Sequence, residues 1–103
     1  MSLIEELQEW YLSQCNEDWE HEYGIEIGTL DNPGWSFKVD LSETDLENVP
    51  FDEYSYGVAD QANINGNDWL ICKKEGCKFV GYGGPGKLHE IVHVFLKWAK
   101  SNV

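Results

Sequence analysis

Hydrophobic positions fall into changing periods along the chain, and each change marks a predicted element. Leu3, Leu7, Trp10 and Tyr11 recur at helical spacing, with Glu5, Glu6 and Glu9 elsewhere on the wheel. Ser2 followed three residues later by Glu5 makes a capping box, and acids in a first turn suit the helix dipole. This predicts a helix ending near Gln14 to Asn16. Residues 17–23, Glu-Asp-Trp-Glu-His-Glu-Tyr, have no clear period and read as a loop or irregular strand. Ile25 and Ile27 then alternate with polar or small residues. Trp35, Phe37, Val39 and Leu41 alternate with Ser36, Lys38 and Asp40, the pattern of a strand with one wet face. Between them, Asp31-Asn32-Pro33-Gly34 predicts a type II turn with Pro33 and Gly34 at its centre.

Residues 42–53 are polar and read as a connection broken by Pro50. Tyr54, Tyr56 and Val58 suggest a third strand, and 63–68 is rich in turn formers. Trp69 to Lys73 and Cys77 to Tyr82 predict a second hairpin around Glu75-Gly76. Gly83-Gly84-Pro85-Gly86 breaks the chain before a final helix, whose stripe is Leu88, Ile91, Val92, Phe95, Leu96 and Ala99, with Trp98 at its edge. Helix, about five strands, helix implies an α+β fold: an antiparallel sheet with an N-terminal and a C-terminal helix on one face. The 103 residues suit a single domain spanning 1–103.

Charge narrows the functional classes. The formal net charge is −12, with no arginine. Residues 1–68 hold 17 of the 19 acids and a single base, Lys38, whereas residues 69–103 hold two acids and six lysines. Such a chain repels nucleic acid and anionic membranes and favours a basic partner. The acidic N-terminus lacks the basic start and apolar centre of a secretory signal, so a cytoplasmic protein is expected. Three cysteines, Cys15, Cys72 and Cys77, then read as reduced thiols in or near the core.

Two metal motifs invite attention. His89-Glu90-Ile91-Val92-His93 is an H-E-x-x-H string on a predicted helix, the zinc-binding arrangement of metalloproteases. No His, Asp, Glu or Cys follows it to supply a third ligand. Both histidines fall at the edge of the wet face, beside Lys97 and Lys100. Cys72, Cys77, His89 and His93 also approximate a two-Cys, two-His zinc spacing, and a turn at Glu75-Gly76 would set both cysteines on one sheet face. The strong acidity argues against a nucleic-acid-binding finger. The expectation is no enzyme, no cofactor and no metal. The glycines before the last helix lack the Lys-Ser/Thr of a phosphate loop and read as a plain turn.

The aromatic-acidic stretch is the better candidate site. Trp19 lies among Glu17, Asp18, Glu20 and Glu22; aromatic anchors make binding hot spots and acids steer a basic partner. The competing reading is that Trp19 simply packs on the sheet. The same region carries a resemblance. The runs Trp10-Tyr11-Leu12-Ser13-Gln14-Cys15, Asp18-Trp19-Glu20-His21, Gly24-Ile25 and Thr29-Leu30-Asp31-Asn32-Pro33-Gly34-Trp35 resemble the immunity protein 53 family of bacterial polymorphic toxin systems. Asp68-Trp69-Leu70-Ile71-Cys72, Phe79, Gly81, Gly83 and the last helix with Phe95, Leu96 and Trp98 extend the likeness over nearly the whole chain. Cys77 and His89 lie outside that pattern. The resemblance implies a non-catalytic protein that neutralises a cognate protein toxin. An acidic surface could fill the basic cleft of a nuclease toxin. The residues expected to form it are Glu17, Asp18, Trp19, Glu20 and Glu22, with Asp31 and Asn32 at the hairpin turn.

Overall fold

Ser2 and Glu5 close the predicted capping box: each side chain bonds the other residue's backbone N–H, at 3.2 and 3.0 Å. Helix α1 follows, Leu3–Gln14. The computed structural model describes residues 2–31, 33–57 and 68–102. After α1 come a four-residue helix α2 (Trp19–Glu22), β1 (Ile25–Leu30), β2 (Gly34–Asp40), β3 (Tyr54–Tyr56), β4 (Leu70–Glu75), β5 (Lys78–Gly83) and α3 (Leu88–Ser101). The strands form one antiparallel sheet in the order β1-β2-β5-β4-β3.

The alternation in β2 sets the layering. Phe37 and Val39 are fully buried beneath α3, and their register neighbours Gly81 and Phe79 lie on the same face. The stripe of α3 supplies Ile91, Val92, Phe95, Leu96 and Ala99, all buried. Phe95 sits at the centre, with ring centroids 5.8 Å from Phe37, 5.1 Å from Phe79 and 5.0 Å from Trp10 of α1. Leu7 of α1 joins the same core. Both long helices therefore cover one face of the sheet, as expected. A Cβ on Gly81 would lie 2.4 Å from Ile91, so the glycine lets α3 settle closely on β5. The other face carries Lys38, Val80 and Lys73 in one row across three strands. Val80 is nonetheless buried there, flanked by two side chains whose methylene stems are long enough to cover it.

Several local expectations shift. The 17–23 stretch contains α2 rather than a loop throughout. Its local bonds explain this: Asn16 Oδ1 accepts from the N–H groups of Asp18 and Trp19, at 3.0 and 2.8 Å. Gly34 is not a turn residue. It pairs with Leu30 as the first residue of β2, without positive φ. Its requirement is close approach, because a Cβ there would lie 2.3 Å from the Gly83 carbonyl oxygen. Asn32 of that connection falls outside the described residues, as do Val58 and residues 63–67. The second hairpin turns one residue later than expected: Glu75 pairs with Lys78, leaving Gly76 and Cys77 in the turn.

Truncating Phe95→Ala should cost about 3–5 kcal/mol of stability, because the cavity opens where helix and sheet meet. Urea unfolding of the variant beside the wild type measures it.

Candidate functional site

The acidic segment and the connection after β2 meet at one end of the sheet. Trp19 is only 3% exposed. Its ring lies against Trp10, Tyr11 and Tyr23, and its Nε1 donates to the Ser42 carbonyl at 2.9 Å. Trp19 is thus packed inside, as the second of its two readings has it, and it fastens the acidic turn to the connection. The Tyr23 hydroxyl donates to Glu43 at 3.1 Å. That bond, with partial desolvation and the nearby negative charges behind it, raises the Tyr23 pKa. Glu43 sits at φ 63° and Glu17 at φ 79°, both in the left-handed region that non-glycine residues seldom adopt.

The acids of this end have different tasks. Glu17, Asp18 and Glu22 are exposed. Glu20 is tied down locally: its two carboxylate oxygens accept from the Asn16 and Glu17 N–H groups, both at 2.9 Å. Backbone hydrogen bonding, from its own N–H first and then from those two, holds its pKa below the ordinary value despite some desolvation. Glu20 thus shapes the turn. Asp31 does not join them. It lies beyond the far end of β1, seven residues after Gly24, about 23 Å away at ~3.3 Å per extended residue. The expected surface is therefore divided between two ends of the sheet, because the strand that follows the acidic turn carries the chain away from it.

What meets the 17–23 segment instead is the connection after β2, through Ser42 and Glu43; this stretch also bears Asp45 and Glu47 and reads in the sequence only as polar. Leu41 and Leu46 bury beneath it. Lys74 of β4 holds it, with Nζ donating to the carbonyls of Glu47 at 2.7 Å, Val49 at 2.8 Å and Leu46 at 3.3 Å. A lysine on the covered face of a strand, in line with Leu70 and Cys72, was the one available signal. Such a charge needs oxygen partners.

The metal constellation does not assemble. Cys72 is buried on the helix-covered face opposite Gly81, whereas Cys77 sits exposed in the hairpin turn. The one-residue shift of that turn separates them. It also corrects the expectation that all three thiols lie in or near the core. Burial, reinforced by the charge of Glu90, pushes the Cys72 thiol up to about 12. His89 and His93 are exposed on α3. Glu90, the acid of the H-E-x-x-H string, accepts from the Tyr56 hydroxyl at 2.7 Å and the Tyr54 hydroxyl at 3.3 Å, so it ties α3 to β3. Among the described residues, no three His, Cys, Asp or Glu side chains converge to hold a metal ion.

A model of the family described as immunity protein 53 matches residues 4–100. The chain belongs to that family. The match spans nearly all of α1, then α2, the five strands and nearly all of α3. No curated protein and no solved structure matches the chain. Among the described residues, no helix is long and apolar enough to cross a membrane.

Lys74→Met keeps the stem and removes the three donors. It should destabilise the fold by about 1.5–3 kcal/mol, the scale of hydrogen bonds from a charged group, read from chemical denaturation. A thiol-alkylating reagent should modify Cys77 readily in the native protein and leave Cys72 intact until unfolding, with mass spectrometry locating the adducts.

Proposed function

We propose that the protein binds a cognate bacterial toxin in the cytoplasm and neutralises it by occupation, without a catalytic step. Membership of an immunity-protein family supports the role. The joining of two acidic segments supports the surface: the turn bearing Glu17, Asp18, Glu20 and Glu22 is tied to the connection bearing Glu43, Asp45 and Glu47 through Trp19–Ser42 and Tyr23–Glu43. This convergence is the observation on which the reading turns. No lysine or arginine lies between Lys38 and Lys73, and none precedes Lys38. A partner with a basic cleft, such as a nuclease toxin, would meet a field of one sign here and be drawn in quickly. Asp31, beyond the far end of β1, would contribute through long-range attraction. The same field disfavours nucleic acid and anionic membranes as partners.

Co-expression with the toxin domain encoded in the adjacent reading frame should rescue growth, and the two should co-purify. The combined variant Glu17→Gln/Asp18→Asn/Glu22→Gln leaves the Glu20 bonds intact. It should lower the association rate about tenfold at low salt and flatten its salt dependence, measured by stopped-flow mixing with the toxin. Unchanged association kinetics would move the interface away from this end.

A further inference from the structure

The sheet has two edges, and they are unlike. Edge β3 is three residues long, and its tyrosines are tied to Glu90 of α3. Edge β1 is six residues long. The Gly24 carbonyl accepts from the Asp40 N–H at 3.0 Å, which makes Gly24 and Asp40 a hydrogen-bonded pair. Antiparallel pairing alternates, so Glu26, Gly28 and Leu30 bond towards β2. The N–H and C=O groups of Ile25, Ile27 and Thr29 therefore point away from the sheet. Among the described residues, none of them has a hydrogen-bond partner. Beside this edge runs an apolar groove between α1 and β1, lined by Ile4, Leu7, Tyr11, Tyr23, Ile25 and Ile27. Ile4 is 56% exposed and Ile27 43% exposed. Long edge strands normally carry lysine, proline or a bulge that prevents pairing. β1 has none of these, only Glu26 on the opposite face.

We infer that β1 receives an added strand from the toxin, with alternating apolar and basic residues. The apolar side chains would enter the α1–β1 groove, and the basic ones would meet Glu26 and the flanking Glu22 and Asp31. Charge selects this occupant. Residues 1–37 contain nine acids and no lysine or arginine. A second copy of the chain would bring −12 against −12 and set acidic β1 beside acidic β1, which like-charge repulsion opposes. Strand addition also suits the acidic end described above, since α2 runs directly into β1. A basic toxin steered to that end arrives beside the open edge. The inference rests on the toxin-binding reading and adds the contact that would hold the complex.

Amide exchange resolved by residue, on the free protein and on its complex with the purified toxin domain from the adjacent reading frame, tests it. Exchange at Ile25, Ile27 and Thr29 should slow at least tenfold on binding, while Glu26, Gly28 and Leu30, already bonded to β2, should change little. Thr29→Pro removes one outward donor without touching the β1–β2 bonds, since proline is accepted on an edge whose N–H faces out. It should weaken the complex about tenfold. Ile4→Lys, on the exposed surface of α1, tests the groove without altering β1 and should weaken it comparably. Unfolding curves establish that each variant folds. A complex whose formation leaves exchange at these three amides unchanged would overturn the added strand and leave the immunity reading standing. So would slowed exchange with full affinity in both variants, since that is mere covering. A wild-type protein that neither binds the toxin nor rescues growth would overturn the immunity reading itself, and the proposed occupant with it.

Discussion

The fold depends on the meeting of Phe95 with Phe37 and Phe79. One helix side chain reaches both central strands and, through Trp10, the first helix as well. Without that contact α3 would lose the central part of its seat on the sheet, and α1, which reaches the core through Leu7 and Trp10, would lose part of its support. A chain of this size has few kilocalories of net stability. A shared aromatic junction that joins the sheet to both long helices is therefore worth more than its area, because the described residues form a single core cluster around it. Gly81 belongs to the same arrangement: a larger residue would hold α3 away from the rings it must touch.

The acidic end is assembled from segments that carry little regular structure, and the buried Trp19 and the half-buried Lys74 hold them. Trp19 places its ring inside and its Nε1 on the Ser42 carbonyl, so the turn bearing Glu17, Asp18 and Glu22 is fixed from beneath. Lys74 does the same for the connection bearing Glu43, Asp45 and Glu47, by giving its three donors to main-chain oxygens. Two like-charged segments repel one another, so holding them together costs stability that the aromatic and lysine contacts must offset. In the proposed role, those acids would face a partner of opposite charge. Glu20, folded back on its own turn, shows that not every acid in the segment is available for that purpose.

The open face and open edge of the sheet have different characters. The open face is closed off by its own lysines around Val80, whereas edge β1 leaves three pairs of backbone groups and an apolar groove exposed. A monomer gains nothing from such an edge and risks aggregation through it. In the proposed role, the strong net negative charge would oppose pairing between copies and leave the edge to a partner of the opposite sign.

Periodicity alone determined much of this protein. The stripe of α3, the alternation in β2 and the Ser2–Glu5 capping box are local patterns read within a few residues, and from them follow the helices, the antiparallel strands and the α+β class. The long N-terminal motifs likewise carried the family resemblance. Other features were beyond local reading. The turn at Gly76-Cys77 differs from one at Glu75-Gly76 by a single residue, yet that step separates Cys72 from Cys77 and dissolves the apparent metal site. Whether Trp19 faces in or out depends on a carbonyl twenty-three residues away. Asp31 and Glu22, near in sequence, are parted by the length of β1, while Glu43, remote from Glu22, is brought to its side. Local propensity specifies the elements; turn phase, strand pairing and the need to satisfy buried polar groups decide which side chains share a surface, and only the tertiary structure expresses them.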